Sequence, residues 1–127
     1  MNLNQVTVPS RDLPRAIAFY KLLGLRLIVR SLPDYARFEC PAGEATFSLH
    51  RVDALPTGEG VAVYFETPSL DDEYARLRTA GITFELPPTN QRWRWREARL
   101  RDPDGNRLIL FYAGADRKDP PWRIDSE

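Results

Sequence analysis

The sequence predicts an α+β fold: two tandem β-α-β-β-β modules forming a concave sheet cup with the helices on its outer face. Three observations carry this prediction. The first is internal repetition. VTVPSRDLPRAIAFYKLLGLRLIV, from Val6, and VYFETPSLDDEYARLRTAGITFEL, from Val63, follow one plan, with Leu13 matching Leu70, Ala18 matching Ala75 and Gly24 matching Gly81. The second is helical spacing in each copy, and the third is a set of three short alternating runs after each helix.

Each copy opens on a short strand. Asp12 and Ser69 then stand as N-caps, Pro14 fits the first helical turn, and Gly24 and Gly81 suit the left-handed residue that ends a helix. Leu13, Ile17 and Tyr20 in one helix, and Leu70, Tyr74 and Leu77 in the other, form the inward stripes. LRLIVRSL, DYARFECP and EATFSLHRV supply the later strands of the first half, and ITFELPP, WREARLRD and NRLILFYAG those of the second. Pro41, Ala42 and Gly43 turn the chain between two of them, and Asp102-Pro103-Asp104-Gly105 does so in the second half. The expected organisation is one domain over 1–114, built from repeats 3–52 and 60–114, followed by a tail over 115–127 that contains Pro120, Pro121 and Trp122.

Composition narrows the partners. Eighteen basic residues balance eighteen acidic ones, so no bulk charge draws the chain to nucleic acid or to an anionic membrane. No apolar run approaches the roughly 20 residues that span a bilayer, and no signal peptide opens the chain. The single cysteine, Cys40, forms no internal disulfide and reads as a small hydrophobe. A cytoplasmic location, with neither nucleic acid nor membrane as partner, is the expectation.

The DL…AIAFYKLLGL opening and the DPDGNRL closing, in this order around the internal repeat, resemble the vicinal oxygen chelate superfamily, also called the glyoxalase, bleomycin-resistance and extradiol-dioxygenase superfamily. The resemblance covers Leu3 to about Gly114 and is specific for the fold. It is weak for function, because this fold serves isomerases, dioxygenases, thiol transferases and binding proteins. It implies a homodimer. Metal-dependent members usually hold His or Glu at four strand positions. Here those positions fall on Gln5, Ser48, Ala62 and Ile109, where the family's usual glutamate, in a strand of the form RLELF, is replaced by isoleucine. Neutral Gln and Ser are weak ligands, Ala and Ile are none, and the neighbours Val6, Phe47, Val61, Val63 and Leu110 offer no alternative. The expectation is therefore no metal and no cofactor.

Strand alternation supplies the rest of the cup lining if apolar positions face the helices. Val6, Val8, Phe47, Leu49, Val61, Val63, Phe65, Leu108 and Leu110 go to the core. Gln5, Thr7, Ser48, His50, Ala62, Tyr64, Glu66, Arg107, Ile109 and Phe111 are left to the cup. If QRWRWREARLR is extended, with Ala98 and Leu100 inward, Trp93, Trp95, Glu97 and Arg99 join them, and Arg92, Arg94 and Arg96 face the other way. A bulge reverses that. The ligand-binding set read this way is Gln5, Thr7, Ser48, His50, Tyr64, Glu66, Trp93, Trp95, Ile109 and Phe111.

His50, the only histidine, has two readings: a general base or ligand partner, or a strand-end residue bonded to backbone or to Glu66 without turnover. Glu66 either orients His50, binds a cationic ligand, or is solvated. The preferred function is metal-free binding of a small aromatic or amphipathic molecule, similar to the bleomycin-resistance branch. The alternatives are a metal-independent isomerase or lyase using His50 with Glu66 and Tyr64, and a metal-dependent lyase or dioxygenase with a site relocated to His50, Glu66 and Glu97. A regulatory module docking through the Trp122 tail is a third.

Overall fold

The computed structural model describes Met1–Asp125. Ser126 and Glu127, the end of the tail, lie outside the described residues. The chain divides into two compact units. The first is Met1–Val61 together with Arg101–Asn106, and the second is Ala62–Leu100 together with the chain from Arg107 onward.

In the first unit, β1 (Gln5–Ser10) leads into α1 (Leu13–Leu23), followed by β2 (Arg26–Ser31), β3 (Tyr35–Glu39) and β4 (Thr46–Arg51). The sheet order is β1-β4-β3-β2. β1 runs parallel to β4, while β3 pairs antiparallel with both β4 and β2. α1 forms as its caps predict. Asp12 Oδ1 accepts from the Arg15 N–H at 3.2 Å, and Gly24, at φ 109°, closes the helix in the left-handed region. Leu13, Ala16, Ile17 and Tyr20 are buried against a core that includes Val8, Ala36, Phe38, Phe47 and Leu49. Tyr20 lies 4.6 Å, centroid to centroid, from Phe47 and 5.9 Å from Phe38.

One polar bond anchors that core. The Tyr20 hydroxyl donates to Asp102 Oδ2 at 2.6 Å. Asp102 also accepts from the backbone N–H groups of Asp104 and Asn106 at 2.9 Å and from Asn106 Nδ2 at 2.8 Å. Asn106 Nδ2 reaches the Pro9 carbonyl at 2.9 Å, and Asp104 Oδ1 accepts from Arg11 N at 2.8 Å. Burial, with the Asp102 charge beside it, holds the Tyr20 phenol far above its ordinary pKa. The DPDGN segment is thus a structural clamp in the first unit as well as a turn.

The second unit repeats the plan with β5 (Ala62–Glu66), α2 (Leu70–Thr79), β6 (Phe84–Asn90), β7 (Arg96–Arg101) and β8 (Arg107–Tyr112), in sheet order β5-β8-β7-β6. β5 runs parallel to β8. α2 buries only Leu70 and Leu77. Asp71, Asp72 and Glu73 in its first turn and Arg76 and Arg78 in its last suit the helix dipole. Tyr74 is half-buried, edge-on to Phe84 at 4.7 Å. A 3-10 turn, Gly114–Arg117, opens the tail.

Three local expectations are corrected. Ser69 occupies the N-cap of α2, but its side chain makes no capping bond; its own N–H is instead taken by Thr67 Oγ1 at 3.2 Å. Val61 precedes β5 and is 80% exposed, so it is not a core residue. QRWRWR is not extended. Arg94 N donates to the Gln91 carbonyl and Gln91 N to the Trp95 carbonyl, which makes a tight turn with Arg94 at φ 71°, and β7 starts only at Arg96. A reversal this short leaves no room for a strand before Arg96.

Candidate functional site

In each unit the helix covers one face of the sheet and leaves the other free. Register fixes which side chains share the free faces. In the first unit Gln5 stands opposite Thr46, Thr7 opposite Ser48 and Pro9 opposite His50, while Tyr35, Arg37 and Glu39 stand opposite His50, Ser48 and Thr46. Gln5, Thr7, Ser48 and His50 therefore share one side with Tyr35 and Arg37, opposite buried Val8, Phe47, Leu49, Ala36 and Phe38.

These side chains interlock. Gln5 Nε2 donates to Ser48 Oγ at 2.8 Å and to Thr7 Oγ1 at 3.0 Å, and Gln5 Oε1 accepts from Thr46 Oγ1. Ser48 Oγ lies 2.7 Å from Tyr35 Oη, which also accepts from Arg37 Nε at 2.9 Å. The Ser48 bond and the neighbouring Arg37 hold the Tyr35 phenol below its ordinary pKa, against a smaller opposing effect of burial. His50 is exposed on the same side, and no side-chain hydrogen bond or ion pair joins it to another described residue.

The free face of the second unit is aromatic. Tyr64 stands opposite Ile109 and Glu66 opposite Phe111. Trp95 stacks on Phe111 at 4.8 Å and 24°, and Tyr64 sits edge-on to both, at 6.0 Å from Trp95 and 5.4 Å from Phe111. Phe111 and Ile109 are buried, while Tyr64 stays 46% exposed and Trp95 half-buried. Trp93 lies in the turn before β7, and its indole N–H donates to Glu97 Oε2 at 2.9 Å. Glu97, only 1% exposed, also accepts from Arg99 Nη2 at 3.2 Å, and Arg99 Nε is buried without a partner.

Glu66 is not poised as a base. Its Oε2 accepts from Ala113 N at 2.8 Å and Gly114 N at 2.9 Å, and Oε1 is 3.5 Å from Arg117 Nε. It ties the start of the tail to β5. Gly114 takes φ 59° there, in the left-handed region that favours glycine. Asp116 accepts from Arg94 Nε at 2.9 Å, which fixes the same turn from the other side. Trp122 in the tail is 56% exposed.

The positions that metal-dependent members of such a family fill with ligands do not fit a divalent ion. The Gln5 amide and the Ser48 hydroxyl are neutral and bonded to each other, and Ala62 and Ile109 offer no donor atom. Among the described residues no three His, Cys, Asp or Glu side chains are grouped to hold a metal. Glu97 is already engaged by Trp93 and Arg99, and Glu66 by the tail. Cys40 is half-buried, and that burial pushes its thiol pKa up, which makes it a poor nucleophile.

Sequence reasoning overlooked Tyr35, Arg37 and Thr46. The signal was present, since Ala36 and Phe38 alternate with Tyr35, Arg37 and Glu39 in DYARFE.

No curated protein matches the chain in sequence. Among solved structures, a glyoxalase/bleomycin resistance protein/dioxygenase from Nocardioides is 27% identical, with a TM-score of 0.74 over 89% of this chain and 83% of that one. A bleomycin-binding protein complexed with bleomycin is 22% identical, with a TM-score of 0.71 over 88% and 98% of the two chains. A lactoylglutathione lyase from Agrobacterium tumefaciens is 20% identical, with a TM-score of 0.72 over 97% of each. The last two likenesses establish the fold alone, and they do so equally for a binder and a lyase. Residues 2–110 match the family model described as Glyoxalase/Bleomycin resistance protein/Dioxygenase superfamily. With the doubled β-α-β-β-β topology, that match makes the chain a member of the glyoxalase/bleomycin resistance protein/dioxygenase superfamily.

Proposed function

We propose that this protein binds a small aromatic or amphipathic molecule without a metal and without turning it over, acting as a cytoplasmic homodimer. The observation that carries the reading is the cluster of Tyr64, Trp95 and Phe111 on the uncovered face of the second unit's sheet. Its Tyr64 edge stays open although three packed rings would ordinarily be buried. Aromatic side chains give large, stiff contact area to a planar ligand at little entropic cost. On the first unit's own free face, Gln5, Thr7, Ser48 and His50 carry groups able to hydrogen-bond a small molecule's heteroatoms.

The enzymatic alternative with His50, Glu66 and Tyr64 has less support. A base must reach a substrate proton, and the Glu66 carboxylate is committed to two backbone N–H groups and an arginine. Binding without an acid–base pair agrees with that commitment.

Calorimetric titration with a panel of neutral bicyclic aromatic amides, naphthalene-2-carboxamide among them, tests the reading. Binding should persist in EDTA, leave the probe chemically unchanged, and weaken about tenfold or more in Trp95→Ala, as for an aromatic anchor. Binding that needs added zinc, nickel, manganese or ferrous iron, or no binding across the panel, overturns it.

A further inference from the structure

The first unit's free face carries a guanidinium held in place with nothing to neutralise it. Arg37 Nε donates to Tyr35 Oη at 2.9 Å, and the guanidinium carbon lies 5.4 Å from the centroid of the Tyr35 ring. Tyr35 is itself fixed through Ser48 and Gln5, and Ser48 is wholly buried. An exposed arginine ordinarily samples many rotamers. This one is anchored at Nε and leaned over a ring, so its two Nη groups project as a pre-set fork.

No ion pair joins Arg37 to any described residue. The acidic residue nearest in register, Glu39, is bound by Arg26 at 2.8 Å, and Asp34 and Asp53 lie 3.8 and 3.2 Å from Arg51. His50, on the same face and opposite Tyr35 in the sheet, adds no negative charge. Tyr35 Oη accepts from Arg37 Nε and shares a 2.7 Å hydrogen bond with Ser48 Oγ, so both partners of the arginine's anchor are engaged. The two Nη groups are left as the outward donors.

We propose that Arg37 and Tyr35 form a carboxylate-recognition site on the first unit's free face, so that this face takes an organic acid. The inference rests on the small-molecule binding proposed above and names a charged group that such binding would take. A planar carboxylate takes two parallel N–H bonds from the Nη fork. Tyr35 acts as a positioning residue through its hold on Nε.

The test is an NMR titration with benzoate and, separately, benzamide, followed at the Arg37 Nε–Hε cross-peak, the Tyr35 ring, and the backbone signals of Tyr64, Trp95 and Phe111. Benzoate should move the Arg37 and Tyr35 signals saturably and bind about tenfold or more tighter than benzamide, as expected for charge-assisted bonds. Arg37→Gln should abolish that preference with the fold unchanged, Arg37→Lys should restore only part of it, and Tyr35→Phe should weaken benzoate alone. If both probes move the Tyr64, Trp95 and Phe111 signals and leave Arg37 still, the carboxylate site is refuted while the binding function stands. If neither probe moves any of these signals, both fail. Inorganic phosphate displacing benzoate at lower concentration refutes the assignment to a planar acid.

Discussion

The two units share a topology and differ in how their uncovered faces are held. In the first, Gln5, Thr46, Ser48, Tyr35 and Arg37 form a chain of hydrogen bonds. In the second, the equivalent surface is packed by Tyr64, Trp95 and Phe111. The repeat makes the contrast direct. Thr7 opposite Ser48 in one sheet corresponds to Tyr64 opposite Ile109 in the other. A repeated backbone keeps its register and carries a polar face in one unit and an aromatic face in the other. Polar contacts impose direction and aromatic contacts supply area, so the two faces offer different chemistry.

The same contrast extends inward. α1 is pinned by a buried tyrosine and a carboxylate, whereas α2 buries two leucines and meets the sheet edge through an exposed pair, Asp71 with Arg96 at 2.8 Å. That pair holds the Asp71 carboxyl below its usual range and the Arg96 guanidinium above its own. An exposed pair adds little stability. The interior of the first unit should therefore be the more sensitive to loss of one polar group. Asp102→Ala is expected to cost about 3 kcal/mol or more in urea denaturation, because it leaves the Tyr20 hydroxyl and two backbone donors buried without an acceptor. A cost under about 1 kcal/mol would erase the distinction between the units.

Alkaline titration sharpens it. The folded state raises the Tyr20 pKa above its ordinary value of 10.0, so its neutral form is the one the fold favours. The stability this contributes is complete below about pH 10 and falls as pH rises beyond it, by up to about 1.4 kcal/mol per pH unit. Tyr20→Phe should remove that slope while lowering stability at neutral pH by about 1 to 2 kcal/mol, the cost of the lost hydrogen bond. Unfolding midpoints measured from pH 8 to 11 in both proteins decide it.

The smallest expected effect lies on the free face. Ser48→Ala should cost about 1 kcal/mol and move the Tyr35 phenol back up toward its ordinary pKa, since the Ser48 bond is the main cause of its depression. Ultraviolet difference titration of the variant against the parent reads the change. An unmoved Tyr35 would mean that the polar chain is not continuous.

Much of the fold was legible in the sequence, because the repeat, the Asp12 cap, Pro14 and the strand alternation agree with one another. Parity alone assigned Gln5, Thr7, Ser48 and His50 to one face and Tyr64, Ile109 and Phe111 to another. It failed at QRWRWR, where alternating residue types imitate a strand while Arg94 takes a left-handed turn conformation that arginine rarely adopts. It set Glu66 on the same face as Tyr64 but could not give its partners, which are backbone N–H groups at Ala113 and Gly114 and leave no trace in side-chain pattern. Arg37 and Tyr35 were readable in DYARFE, but their significance depends on the absence of a neighbouring acid, which is a matter of distance.

The clamp formed by Asp102 and Asn106 bears on biosynthesis. Tyr20 leaves the ribosome before any of the second repeat, yet its hydrogen-bond partner, Asp102, belongs to a turn between the last two strands of that repeat. Until Asp102 emerges, the Tyr20 phenol of the first repeat lacks the acceptor it has in the finished fold. The two copies of the module are therefore unequal, since the earlier one completes its buried polar bond with a turn supplied by the later one.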